Sequence, residues 1–284
     1  MLSCLRNAVV GIAMIALNQN AWAAPQKNDQ LKIFWSTLNK LEMENTISFQ
    51  LRFSEVEPSG ERNSKTGFFK LRKHPFDFYY RQDSPQKGLE LLYVEGVNNN
   101  KVLIHRNSFP WISFSLDPLG NIMLRESRHP IFEAGYWYLV EVVKHITTVN
   151  KQASVTYEGE ELCLEKQCFR FLVDNPSYRL EHYRTKKGET LYSIAKSQHL
   201  FLYTLRMLNP NVDPSCIPDL TMLTIPSDYA RKMYVFIDKK ELIPIKIEIY
   251  SDHGLLEEME FTNVTQEVML SPYDFSRDNT TYSF

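Results

Sequence analysis

The sequence predicts an α+β protein built on a curved antiparallel β-sheet, an incomplete barrel with helices on its concave side. Three observations predict it. Short runs of alternating apolar and polar residues, separated by turn signals, dominate residues 45–173. Amphipathic helical patterns precede and follow the first of these runs. Strand patterns return only after residue 230, too few there for a separate domain, so they complete the sheet begun at residue 45.

Leu31, Phe34, Trp35, Leu38 and Leu41 recur at helical spacing and predict a helix over 26–41. From Asn45 the period becomes two. Ile47, Phe49, Leu51 and Phe53 alternate with Ser48, Gln50, Arg52 and Ser54, which describes a strand with one buried face. Further strands are expected at 66–73, 77–82, 89–94, 101–106 and 112–116, with turns at Pro58-Ser59-Gly60, at 85–88 and at Asn98-Asn99-Asn100. Pro130 opens a second helix whose apolar face carries Ile131, Tyr138, Leu139, Val142, Val143 and Ile146. Strands follow at 153–158 and 163–173, then after an interruption at 234–237, 243–250 and 255–262, the last two joined at Asp252-His253-Gly254.

The first residues have the pattern of a secretory leader. Arg6 precedes the apolar run Ala8 to Leu17, and Ala21-Trp22-Ala23 fits a small-x-small cleavage site, so residues 1–23 are expected to be removed. Ten apolar residues are too few for a spanning helix of ~20. Loss of Arg6 leaves 31 of the 32 basic residues against 34 acidic ones. With no basic stripe, nucleic acid is not an expected partner. Export favours a periplasmic location. There Cys163 and Cys168, bracketing a four-residue hairpin turn, form either a cross-strand disulfide or two unpaired thiols.

The interrupting segment has a recognisable order: Tyr183-x-Thr185-x-x-Gly188-Glu189-Thr190-Leu191-x-x-Ile194-Ala195, then Leu205-x-x-x-Asn209, then Leu223-x-Ile225-Pro226. It resembles the LysM module, a βααβ domain associated with N-acetylglucosamine glycans such as peptidoglycan. The resemblance implies an inserted domain over 181–227. It also implies a shallow groove bordered by Gly188, Glu189, Thr190 and Leu191 on one side and Asn209, Pro210 and Asn211 on the other. Two positions depart from the family pattern: Leu220 stands where glycine is usual, and Thr185 where a β-branched apolar residue is usual.

The remainder, 24–180 and 228–284, is expected to form one discontinuous β-rich domain, and most of residues 30–180 and 230–284 resembles the exported domain-of-unknown-function family 1571, whose fold is similar to the LolA lipoprotein carrier. The phrases that carry this are Leu92-Tyr93-Val94-Glu95-Gly96, Leu116-Asp117-Pro118-x-Gly120, Arg128-His129-Pro130-Ile131 with Gly135, Ile237-Asp238 to Leu242-Ile243-Pro244, and Tyr273-Asp274-Phe275 to Tyr282-Ser283-Phe284. The resemblance implies an apolar concavity that takes an acyl chain, a lipid or a lipoprotein. Phe49, Leu51, Phe53, Phe114 and Ile247 are candidates to line it, with ordinary core packing as the alternative for each.

No catalytic signature accompanies these modules. There is no Gly-x-Ser-x-Gly elbow and no His-Glu-x-x-His helix, and the seven histidines lack ligand spacing. Arg125-Glu126 to Arg128-His129 with Glu133 could build an acid/base or anion site, but a hydrogen-bonded helix entrance is the favoured reading. The expectation is a periplasmic, non-enzymatic binding protein without cofactor or metal, holding an apolar ligand and docked on peptidoglycan. The alternatives are a structural or signalling envelope protein with a filled core, similar to the RseB regulators, and a divergent cell-wall hydrolase.

Overall fold

A computed structural model describes residues 27–284 apart from positions 58 and 110, and gives no side-chain account of 27, 28 and 126. The expected leader and its cleavage site lie outside these residues. Helix α1 (Lys27–Met43) leads into β1 (Thr46–Val56), β2 (Arg62–Arg72), β3 (Asp77–Ser84), β4 (Glu90–Val94), β5 (Val102–His105) and β6 (Ser113–Leu116). Helices α2 (Asn121–Glu126) and α3 (Tyr136–Val149) follow, then β7 (Ser154–Cys163) and β8 (Lys166–Asp174). After a βααβ unit come β11 (Lys232–Asp238), β12 (Pro244–Ser251) and β13 (Gly254–Gln266). That unit comprises β9 (Leu180–Arg184), α4 (Leu191–Gln198), α5 (Leu202–Leu208) and β10 (Met222–Pro226).

Among the described residues, eleven strands form one sheet in the order β6-β5-β4-β3-β2-β1-β13-β12-β11-β8-β7. Every pairing is antiparallel, and β6 and β7 end the sheet without pairing to each other, so it is open. The late strands sit in its middle: β13 pairs with β1, setting Phe53 opposite Met259, and β11 pairs with β8, setting Val235 opposite Phe171. The chain therefore leaves the sheet after Asp174 and re-enters it at Lys232, between strands made earlier.

One face of the sheet carries the main core. Phe34, Leu38 and Leu41 on α1 and Val140, Val143 and Ile146 on α3 pack with Phe171, Val235, Ile245 and Ile247 from the β8–β11–β12 part. The opposite face at β3–β4 is covered by the C-terminal segment. Tyr79 stacks on Tyr282 at 3.9 Å, Phe275 packs beside Leu92, and Lys70 reaches Asp274 at 2.7 Å.

The second helix starts later than the sequence pattern predicts. Pro130 opens a short 3-10 turn (Ile131–Glu133), and Gly135, at φ +81°, breaks the chain direction before α3 begins at Tyr136. A side chain at Gly135 would also lie 2.7 Å from Leu71 Cδ1, so glycine there answers both the left-handed backbone and a close approach to the sheet. The short α2 was not anticipated.

Candidate functional site

Beyond the α1–α3 layer, the same face of the sheet is hollow. A cavity of about 320 Å³ lies over β1–β6 and β13 and is closed by α2 and α3. Its wall is mainly apolar, including Leu51, Phe69, Leu91, Ile104, Phe114 and Met259. Exposed members of the lining, Pro85, Gln86, Arg106, Ile122 and Ser127, mark where it meets solvent. Tyr138 Oη, also on the lining, is buried with no hydrogen-bond partner among the described residues.

Of the five residues expected to line a concavity, Leu51, Phe53 and Phe114 do so. Phe49 and Ile247 do not: both are fully buried in the core. Phe49 sits under Gly135 and Tyr136, packed between Phe69 at 5.0 Å and Phe261 at 5.3 Å. Ile247 belongs to the part of the sheet roofed by the helices. The alternation is the same along both strands, and only the position of α1 and α3 decides which inward residues meet protein and which meet space.

The least expected feature of the wall is ionic. His129 Nδ1 lies 3.1 Å from Glu133 Oε2, and His129 Nε2 lies 2.9 Å from Glu257 Oε2. Glu257 is wholly buried and Glu133 nearly so. Burial alone would drive the imidazole toward its neutral form; the charge of Glu257 and hydrogen bonds to both carboxylates overcome it and raise the His129 pKa to about 10. Burial raises the Glu133 pKa, with His129 pulling it the other way. At neutral pH the cluster is thus an imidazolium between two acids, and a protonated imidazole has no lone pair with which to act as a base. Next to it, Arg128 is almost fully buried, donating to Leu256 O and Val56 O at 3.1 Å and to Glu57 Oε1 at 2.9 Å. Against its burial, the hydrogen bond and charge of Arg128 hold the Glu57 carboxyl below its ordinary range. The helix-entrance reading of this stretch is therefore incomplete. Its partners come from β1 and β13 as well.

These two residues also anchor the βααβ unit. The Phe201 ring stacks on His129 at 4.9 Å, and Tyr203 lies under the Arg128 guanidinium at 3.9 Å while its hydroxyl donates to Glu57 Oε2 at 3.1 Å. Leu124 of α2 enters the apolar core of the unit beside Leu191, Ile194, Leu205 and Leu223, and Arg206 donates to Leu124 O. His199 stacks on His145 at 4.1 Å and binds Glu141 at 2.8 Å. The unit is thus docked through aromatic, ionic and apolar contacts, not tethered.

Within the unit, β9 and β10 pair antiparallel and the helices pack across them. Thr190 caps α4 through a reciprocal pair of bonds with Ser193. Glu189 accepts from Lys186 N–H and Tyr183 Oη, both at 2.8 Å. Leu191 is buried, and its N–H donates to Pro214 O at 3.0 Å, tying the start of α4 to the loop after α5. Asn209 is spent on structure: its amide nitrogen donates to Leu205 O and Thr224 O, and its oxygen accepts from Thr224 N–H. Of the seven groove residues, Gly188, Pro210 and Asn211 are exposed. The two departures meet in one turn. Leu220, 69% exposed, holds φ +62°, and the buried Thr185 hydroxyl staples that turn by donating to Pro218 O at 3.0 Å and accepting from Thr221 N–H at 2.9 Å. A non-glycine residue in this conformation costs ~1–2 kcal/mol. Leu220→Gly is therefore expected to raise stability by about 0.5–1 kcal/mol after the entropic cost of glycine, read as a shift in the urea midpoint.

Cys163 and Cys168 are free thiols. The hairpin pairs Cys163 with Lys166 and Cys168 with Glu161, so the cysteines are diagonal neighbours, with the two thiols in contact and not bonded. Burial pushes the Cys163 thiol up to about 11 and the Cys168 thiol up to about 12, which keeps both protonated and unreactive.

A family model described as Protein of unknown function (DUF1571) matches residues 59–204, just over half of the 284 residues. The chain belongs to this family. The DUF1571 match takes in β2 to β8 and continues through β9 and α4 of the βααβ unit. No curated protein matches the sequence. Among solved structures, the Mycobacterium tuberculosis lipoprotein LppX is similar at 11% identity over 86% of this chain and 99% of that one, with a TM-score of 0.41. A LolA superfamily protein from Nitrosomonas europaea is similar at 9% identity over 86% and 97% of the two chains, with a TM-score of 0.34. A putative outer membrane lipoprotein-sorting protein domain from Vibrio parahaemolyticus is similar at 11% identity over 87% and 95%, with a TM-score of 0.33. Likenesses at this level say nothing of ligand or partner.

Proposed function

We propose that this DUF1571 protein is a non-enzymatic, exported binding protein of the cell envelope that holds an apolar ligand, an acyl chain or the lipid part of a lipoprotein, in the cavity over β1–β6. The observation that carries this reading is the void itself. About 320 Å³ of space walled by Phe, Leu, Ile and Met side chains falls within the ~300–1,000 Å³ of small-molecule sites, and a filled-core protein has no use for it. The charged His129 and the protonated thiols support a binding role over catalysis.

The βααβ unit is read as a LysM-type module that docks the protein on peptidoglycan. Its support is the motif order together with the strand–helix–helix–strand arrangement of residues 180–226. A single shallow site binds weakly, and here the exposed contacts reduce to Gly188, Pro210, Asn211 and neighbouring backbone.

Mass spectrometry of the protein purified from its native envelope is expected to find a co-purifying lipid or acyl species, and co-sedimentation with purified sacculi is expected to retain the full chain. Protein free of lipid that also fails to displace a fluorescent fatty acid ends the cavity reading. Failure to sediment with sacculi ends the glycan reading and leaves the cavity untouched.

A further inference from the structure

We propose that the rim of the cavity seats on an anionic lipid surface, with the tip between β5 and β6 as the inserting element. Phe109, Trp111 and Ile112 on that tip are 81%, 61% and 56% exposed. The two aromatic rings meet edge to face at 5.5 Å, which holds them together as one apolar knob. Across the opening, Ile122 of α2 adds another apolar side chain, 51% exposed and itself part of the cavity lining. Contiguous exposed apolar groups of this size mark an interaction surface.

The charge around the knob selects the partner. Between Asp83 and Glu90 and between His105 and Asp117 the charged residues are Lys87 and Arg106, both exposed; of the flanking acids, Asp83 is engaged by Arg81 and Gln50, Glu90 is buried and Asp117 accepts from Leu119 N–H. The two segments are in contact: a Cβ at Gly88 would fall 2.7 Å from Asn107 Cβ. Large aromatics flanked by exposed cations match the layered chemistry of a bilayer interface, where rings settle at the headgroup level and cations meet lipid phosphates. A protein partner of ordinary composition has no reason to exclude acidic residues from both neighbouring loops.

Position gives the surface its use. The cavity meets solvent at Pro85, Gln86, Arg106 and Ile122, on the same rim. A membrane seated on the knob therefore faces the opening, so that an apolar chain could pass between bilayer and cavity without crossing water. Docking stands on exposure and charge; only this transfer step rests on the proposed cavity function.

The test is flotation of the full chain with vesicles of phosphatidylcholine alone or mixed with phosphatidylglycerol. The wild type is expected to float with the anionic vesicles, and less so as salt rises. The double variant Phe109→Ser, Trp111→Ser is expected to lose about tenfold or more of its bound fraction, and Lys87→Gln, Arg106→Gln to lose the preference for phosphatidylglycerol. Fatty-acid displacement in lipid-free buffer should be unchanged in the serine variant, because neither ring lines the cavity. Absence of wild-type flotation, or equal flotation of the serine variant, overturns the proposal. Flotation only with vesicles reconstituted with envelope membrane proteins also overturns it, assigning the rim to a protein. Flotation without fatty-acid binding removes the cavity reading and leaves docking in place.

Discussion

Replacing His129 with leucine is expected to destabilise the protein by about 3–5 kcal/mol, the range for removing one partner of a buried ion pair. The cost does not come mainly from lost attraction. Glu257 has no exposed surface and Glu133 has little, so without the imidazolium two carboxylates are stranded in an apolar wall. For a chain of this size each kcal/mol moves the melting temperature by ~2–4 °C, so a fall on the order of 10 °C should be seen by calorimetry. The triple variant His129→Leu, Glu133→Gln, Glu257→Gln should recover much of the loss, since it removes the charges along with their partner. If the single variant melts like the wild type, His129 does not compensate the burial of the two acids and the electrostatic account is wrong.

The same cluster sets a pH dependence with a definite sign. The His129 pKa rises from about 6.5 unfolded to about 10 folded. Its stabilising contribution is then complete below about pH 6.5 and lost as pH climbs through 10, because the folded state holds the proton that the unfolded chain has already released. Loss should show first where Phe201 stacks on the imidazole, as faster amide exchange in α4 and α5 on the alkaline side.

Much of the scaffold was legible because its signal is local. Alternation along Ile47 to Phe53 and Ile243 to Tyr250 marks strands, and the strands beyond residue 230 could only join an existing sheet. The βααβ arrangement of 180–226 was legible through its motif order, which resembles the LysM module. What escaped is long-range. His129 and Glu257 are 128 residues apart, and nothing in the spacing of either shows that β13 carries the acid to the imidazole. Phe201 and Tyr203 carry no signal in the motif order, although their rings fix the unit to the sheet. The six-residue α2 is too short to show a period, yet it walls the cavity and contributes Leu124 to the neighbouring core. The start of α3 was misplaced by five residues or so because helical spacing continues through Gly135, whereas the backbone there does not.

Substituting Leu91 with tryptophan is expected to weaken binding of a fluorescent fatty acid at least about tenfold while leaving the melting temperature within a few degrees of the wild type. Leu91 lies on β4, half-buried and facing the void, opposite Tyr80 across the β3–β4 ladder. A larger side chain forced into a packed core costs ~1–3 kcal/mol because neighbours must move. Added to a wall of a 320 Å³ cavity, the indole occupies space that is already empty, so its main effect falls on whatever else would occupy it. The matched control is Ile247→Trp, at a site fully buried beneath the helices, which should be strongly destabilising. This pair of variants distinguishes a hollow from a filled sheet face without knowledge of the natural ligand. Leu91→Trp and Ile247→Trp destabilising alike would mean that the space over β4 is packed in solution, and the carrier reading would fall with it. Ligand displacement lost in Leu91→Trp with the fold intact would place the acyl chain against β4, between the open rim at Arg106 and the ionic wall at His129.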